Sequence, residues 1–284
     1  MLTQAQLEDL ARLHGVAERF DGDVAIIGAA ALLCFVDIGR FTRDIDLVVA
    51  LDLEDFTAFA GELRTLGWTY EERAEHRWRG PSGSMIDLLP AGPRLRQDKR
   101  IIWPESGFEM SLVGFDHVFA HALSVQFAEG VQYRVAPPPV IALLKIVAFM
   151  DDEHRRKKDR DDIAELFRRY EEQSDRIFSD EVFAAELEDI EYANAFLLGM
   201  DVGIIATGEE LEILNEFCRA QGISEADLHE LDREDMQQRE VFRDQQQLRA
   251  FRNGVEQQQK QKQQKKKNKK NKNNKKKKKK KKTK

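Results

Sequence analysis

The sequence predicts an α/β (α+β) front half followed by a helical back half, on three observations. A short apolar run, Val24–Ile27, ends at Gly28 and passes directly into a small-residue helix start. The next apolar run opens on Asp44-Ile45-Asp46, where the period-two alternation of a strand puts both carboxylates on one face. After the triplet Pro137-Pro138-Pro139 the pattern becomes helical for most of the remaining chain. The triplet therefore divides a segment 1–136 from a helical segment 137–256. Residues 257–284 are Gln/Lys/Asn low complexity that cannot bury a core, and read as a disordered tail.

The elements follow in order. Leu2–Phe20 reads as a helix, with Leu7, Leu10, Ala11 and His14 on one stripe. Val24–Ile27 is a short buried strand, Ala29–Ile38 a helix and Arg43–Val49 the next strand, with Ile45, Leu47 and Val49 facing a core. Leu53–Leu66 is an amphipathic helix closed by Gly67. Trp68–Glu72 with His76–Arg79 suggests a hairpin, and Gly83–Leu89 a strand closed by Pro90. Residues 91–114 are rich in turns and give no clear pattern. Phe115–Leu123 reads as a helix, and Val125–Phe127 with Tyr133–Val135 as a hairpin around Glu129-Gly130.

Charge is divided as sharply as pattern. Seventeen of the 45 Lys and Arg residues lie between Gln257 and Lys284, where there is no acid. Residues 1–256 thus carry 28 basic against 51 acidic side chains, a formal charge of −23 beneath an overall −6. Such a body does not attract polyanions non-specifically, so any nucleic acid must be met by a local arginine cluster or by metal ions. The two cysteines, Cys34 and Cys218, lie far apart among apolar neighbours, which suits reduced thiols in the cytoplasm. The first twenty residues lack the basic-then-apolar order of a signal peptide. The longest apolar run, Val140–Met150, is interrupted by Lys145 and too short to span a bilayer, so a cytoplasmic protein without membrane partners is expected.

Three carboxylates stand out. Asp44 and Asp46 follow the strand–glycine–helix unit and lead into Leu47-Val48-Val49. Asp87 is the only charge in Met85-Ile86-Asp87-Leu88-Leu89, where an acid is costly unless paired or bound to metal. Taken singly, each has a bland reading as a solvated strand end or a salt-bridged edge position. On neighbouring strands, together, they would hold one or two Mg²⁺ ions, which bind carboxylate and phosphate oxygens. Such ions neutralise a triphosphate and orient an acceptor hydroxyl for in-line attack on the α-phosphate. Asp87, assigned nearest the acceptor, could take its proton.

Lys145 is the only polar side chain of Val140–Met150. It reads either as a lysine snorkelling to the helix rim or as a cation aimed at triphosphate oxygens, the reading preferred here. Asp159 and Asp162 share a helical stripe with Ile163, Leu166 and Tyr170. Asp159 could cap that helix, or either acid could pair with Lys145 or the nucleotide, with Lys158 neutralising phosphate. Arg40 and Arg43 flank the acid pair and could hold phosphate or form surface salt bridges. His117 and His121 share a helix face, but a zinc hydrolase would need a third ligand and a Glu where Val118 stands.

The runs Ile27-Gly28-Ala29-Ala30-Ala31 and Arg40-Phe41-Thr42-Arg43-Asp44-Ile45-Asp46-Leu47 resemble the signature of the DNA polymerase β-like nucleotidyltransferase superfamily. Within it, they are most similar to the AbiEii-type toxins and related minimal nucleotidyltransferases. The run Lys157-Lys158-Asp159-Arg160-Asp161-Asp162-Ile163 is similar to that group's C-terminal motif. The resemblance covers roughly residues 20–170. It implies a mixed β-sheet nucleotidyltransferase core flanked by helices, with a helical half that caps the nucleotide and presents the acceptor. It implies Asp44, Asp46 and Asp87 as metal ligands and NMP transfer from an NTP to a hydroxyl. Gly28, Ala29, Thr42, Arg43, Lys145, Lys158, Asp159 and Asp162 would then surround the nucleotide. Ala29 departs from the Gly-Ser or Gly-Gly of many members, leaving backbone N–H groups and the helix dipole to meet phosphate.

Three acceptors fit. A tRNA 3′ end or a protein hydroxyl belongs with a toxin held by an antitoxin, the reading preferred here. A small cationic molecule, as for an aminoglycoside-modifying enzyme, agrees with the acidic body. From a different class, the same fold could be a non-catalytic module that senses nucleotide or binds a partner.

Overall fold

The computed structural model describes residues 2–38, 42–71, 74–128 and 131–282, with side chains through 269. Arg40, Phe41 and the Glu129-Gly130 turn lie outside the described residues. Helix α1 (Gln4–Arg19) starts at a capping box in which Thr3 and Gln6 satisfy each other's exposed groups. Strand β1 (Val24–Ile27) leads into α2 (Gly28–Leu32), then β2 (Asp44–Val49) and α3 (Leu53–Thr65). β3 (Thr69–Glu71), β4 (Ala74–Arg79) and β5 (Met85–Pro90) form an antiparallel run. The stretch 91–114 holds α4 (Pro93–Asp98) and a small hairpin of β6 (Arg100–Ile102) and β7 (Glu109–Ser111). Helix α5 (Phe115–His121) and the hairpin β8 (Leu123–Ala128) and β9 (Val131–Val135) complete the front half.

The sheet is mixed, in the order β3-β4-β5-β2-β1-β9-β8. β2 runs antiparallel to β1 and parallel to β5, and β1 runs parallel to β9. Ile45, Leu47 and Val49 are fully buried on the face opposite the two aspartates, as strand alternation requires. Helices follow: α6 (Pro138–Asp151), α7 (Lys157–Arg169), the short α8 (Asp180–Phe183), α9 (Ala193–Ile205), α10 (Gly208–Gln221), α11 (Glu225–Glu230) and α12 (Met236–Lys282). α6 is apolar all round and buried among its neighbours, packing on α2, α7, α9 and α10. α9 and α12 cross at Gly199 and Gly254, where a Cβ would stand 2.0 Å from Phe251 O or 2.2 Å from Phe196 O. Only glycine lets the two backbones approach so closely.

One expectation is corrected: the helix expected over Ala29–Ile38 ends at Leu32 and gives way to turns. Helix α12 runs on past Gln257 to Lys282. Lysine and glutamine are good helix formers, and the start of this segment has partners on α9. Gln259 Nε2 donates to Gly203 O at 2.9 Å and Lys262 Nζ to Ala206 O at 3.4 Å. Among the described residues, no helix is long and apolar enough to cross a membrane.

Candidate active site

Register decides which acids meet. Asp46 lies directly opposite Asp87 across the parallel pair β2–β5, and Asp44 lies two residues back on the same face of β2. The three predicted carboxylates are thus brought to one face of two adjacent strands. On the other side, Asp46 opposes Ile27, the residue before Gly28. Gly28 has φ +65°, and a Cβ there would stand 2.0 Å from Asp46 Oδ2. The glycine is demanded twice, by its left-handed backbone and by the carboxylate lying over it.

Burial pushes the Asp46 carboxyl up to about 6, Asp87 adds to the rise by repulsion, and Lys145 opposes it. An accumulation of negative charge at one point on a strand face is a setting a divalent cation relieves. The donor set is of the hard-oxygen type that Mg²⁺ takes. Among the described residues, however, no group of three acidic, histidine or cysteine side chains stands ready to enclose a metal.

One of the three carboxylates is engaged by a residue not anticipated from the sequence. Arg77 lies opposite Asp87 on β4, and its guanidinium grips that carboxylate with both arms: Nε to Oδ1 and Nη2 to Oδ2, each 2.9 Å. Nη2 also reaches Asp44 Oδ2 at 3.5 Å. The bidentate bond to Asp87, joined by the charges of Asp87 and Asp44, raises the Arg77 pKa further. The signal was present in Gly80-Pro81-Ser82-Gly83, a turn between Arg79 and Met85 that places Arg77 opposite Asp87. The hairpin expected between Trp68 and Arg79 leaves Arg77 without this partner, because the pairing of β4 with β5 lies beyond it.

Lys145 comes up from α6 to meet α7. Its Nζ lies 2.7 Å from Asp159 Oδ1 and 2.8 Å from Asp162 Oδ2, and all three residues are largely buried. Burial alone would lower its pKa, yet the two carboxylates hold it above the ordinary value. Asp159 does not cap α7, which begins after Arg156; its carboxylate faces Lys145 instead. Lys158 is exposed. Thr42 gives its hydroxyl to Asp44 O at 3.0 Å, and Arg43 is exposed, its carbonyl accepting from Gln6 Nε2 at 3.0 Å. Ala29 is buried, and α2 spans only five residues, so the helix dipole expected behind Gly28 is small. His117 is turned to Glu210 on α10, with Nε2 3.0 Å from Oε2.

A cleft of about 310 Å³ opens beside the carboxylates. Gly28, Asp46, Lys145 and Asp159 line its polar end. Phe108, Met110, Phe115 and Leu144 form an apolar wall, and Asp152, Arg155 and Arg156 a charged rim. A larger hollow of about 790 Å³ between Glu186, Arg219 and Arg252 is remote from these acids in the chain and contains none of them. The smaller cleft is the candidate site, because Asp46 and Gly28 line it together with apolar side chains.

No protein-family model matches this chain, and no curated protein matches it significantly. Among solved structures, it is similar to the antibiotic-resistance factor ANT(2'')-Ia in solution, at 16% identity and a TM-score of 0.34. That match covers 58% of this chain and 86% of the other. It is also similar to JHP933 from Helicobacter pylori, at 13% identity and a TM-score of 0.35, covering 91% and 97%.

Proposed function

We propose that this chain is a nucleotidyltransferase that moves an NMP from an NTP to a hydroxyl acceptor. One observation carries the reading: Asp46 and Asp87 stand opposite each other on β2 and β5, with Asp44 on the same face and the Gly28 backbone against Asp46. Asp44 and Asp46 would hold Mg²⁺. When bound, the ion supplies charge neutralisation at the phosphates and orientation of the attacking oxygen. Gly28 leaves room for the Asp46 carboxylate to lie against the backbone at the head of the cleft. The apolar wall of Phe108, Met110 and Phe115 suits the flat face of a nucleobase, and Arg155 and Arg156 at the rim suit phosphate or acceptor anions. Lys145 holds α7 against α6 through Asp159 and Asp162, fixing the polar end of the cleft.

The acceptor in the preferred reading is a tRNA 3′ end or a protein hydroxyl, as in a toxin with an antitoxin partner. A small cationic acceptor is the second reading, favoured by the acids Glu109, Asp151 and Asp152 along the cleft. The test incubates the full chain with Mg²⁺, each α-³²P-labelled NTP and, in separate arms, total tRNA, cell protein or aminoglycosides. Label on one acceptor class, lost in Asp44→Asn/Asp46→Asn, is the expected result. Nucleotide binding without transfer to any acceptor would replace the enzyme with a nucleotide-sensing module.

A further inference from the structure

We infer that Arg77 is a built-in cation standing where a second metal ion would be held, so that this site takes one divalent ion, on Asp44 and Asp46, and not two. The inference rests on the reading of the strand acids as a metal site and settles how many ions they hold. A two-metal site needs shared carboxylates that clamp both ions at once. Here both oxygens of Asp87 accept from one guanidinium, in the fork geometry that makes arginine–carboxylate pairs strong and directional. The same Nη2 extends to Asp44, so one side-chain cation already bridges the two acids flanking Asp46 on that face. Asp87 is nearly enclosed, with 12% of its side chain exposed, while Asp44 stays 44% exposed and open to solvent. A divalent ion arriving from the cleft therefore meets Asp46, which lines it, and beside it Asp44, half open to solvent and held by Arg77 only at 3.5 Å. Both oxygens of Asp87, in contrast, are engaged at 2.9 Å.

The arrangement suits magnesium in its common mode, in which one or two carboxylates and substrate phosphates hold the ion and waters complete the shell. Arg77 would supply the remaining positive charge permanently, without needing recruitment from solution. Backbone pairing sets Arg77 opposite Asp87 on β4 and β5, and the bidentate bond holds its guanidinium there. A swing away would expose Asp87 and Asp44 to each other without a counter-ion.

Manganese binding to the full chain tests this, with free Mn²⁺ read by electron paramagnetic resonance. The Asp44→Asn/Asp46→Asn variant subtracts ions held elsewhere on the acidic surface. The expected result is one site-specific ion in the wild type and a second in Arg77→Gln. Arg77→Lys, which keeps the charge, should still take one, and guards against loss of fold in the glutamine variant. Two ions in the wild type, or one in both wild type and a folded Arg77→Gln, would overturn the inference. The transfer assay separates this from the wider reading: two ions with label transfer sink only the role of Arg77. No ion dependent on Asp44 and Asp46, together with no transfer, sinks both.

Discussion

Two clusters in this molecule share a composition, one cation between two carboxylates, and differ in setting. Arg77 with Asp87 and Asp44 lies on the open face of a sheet, with 35% of the arginine and 44% of Asp44 exposed. Lys145 with Asp159 and Asp162 lies between two helices, with 9% of the lysine and 2% of Asp162 exposed. The difference separates charge that holds structure from charge that can meet a ligand. A buried pair has paid its desolvation and cannot release a partner without leaving an uncompensated charge in low dielectric. On the sheet only the outer arm is of the second kind: Asp44, 44% exposed and 3.5 Å from Arg77, can take another partner because water covers what is released, while the bidentate grip on Asp87 stays.

The largest expected effect breaks the helix cluster. Lys145→Ala leaves Asp159 and Asp162 facing each other in the interior and should cost about 3–5 kcal/mol of stability in urea unfolding. The corresponding change on the sheet, Asp46→Asn, should leave the melting temperature near wild type while reducing transfer by at least about 10²-fold. A variant that unfolded as readily as Lys145→Ala would erase the distinction between the clusters.

Gly28→Ala sharpens the comparison at intermediate size. Its new Cβ would collide with Asp46 Oδ2 and sit at an unfavourable φ, costing about 1–3 kcal/mol and displacing the carboxylate. Transfer should fall further than the stability loss explains, measured as kcat at saturating nucleotide.

The smallest effect lies at the contact of α5 with α10. Burial opposes ionisation of Glu210, yet its hydrogen bonds from His117 and the Thr207 N–H hold its pKa below the ordinary value. A depressed carboxylate pKa contributes stability above the unfolded value of about 4.5, and that contribution disappears as pH falls through the folded value. The wild type should therefore lose a stability increment between neutral and acid pH that Glu210→Gln lacks at every pH. Denaturant midpoints of both proteins at pH 7 and pH 3 measure it, with a difference of about 0.5–1.5 kcal/mol expected.

Much of the front half was legible because its signals are local. Alternation alone gave β2 its two faces, and Gly28 after an apolar run gave the strand-to-helix turn. Asp87 was legible because a lone acid in an apolar strand is expensive wherever the strand lies. The overextended α2 shows the limit of such signals: Leu33–Ile38 has helical composition, but the helix ends at Leu32 and the returning strand sets Asp46 beside Ile27 and Gly28. The segment 91–114 was opaque because its elements are three to six residues long, too short for a period to emerge.

By itself the sequence determined which residues could share a face: Asp44 with Asp46 through the pitch of a strand, and Asp159 with Asp162 through the pitch of a helix. Those relations depend only on backbone geometry within a few residues. Partnership was decided by the tertiary structure. The parallel register of β2 and β5 set Asp46 against Asp87, the turn at residues 80–84 delivered Arg77 to Asp87, and the packing of α6 on α7 turned Lys145 to Asp159 and Asp162. Such contacts join residues ten to forty positions apart and depend on how whole elements pack, which no local periodicity encodes.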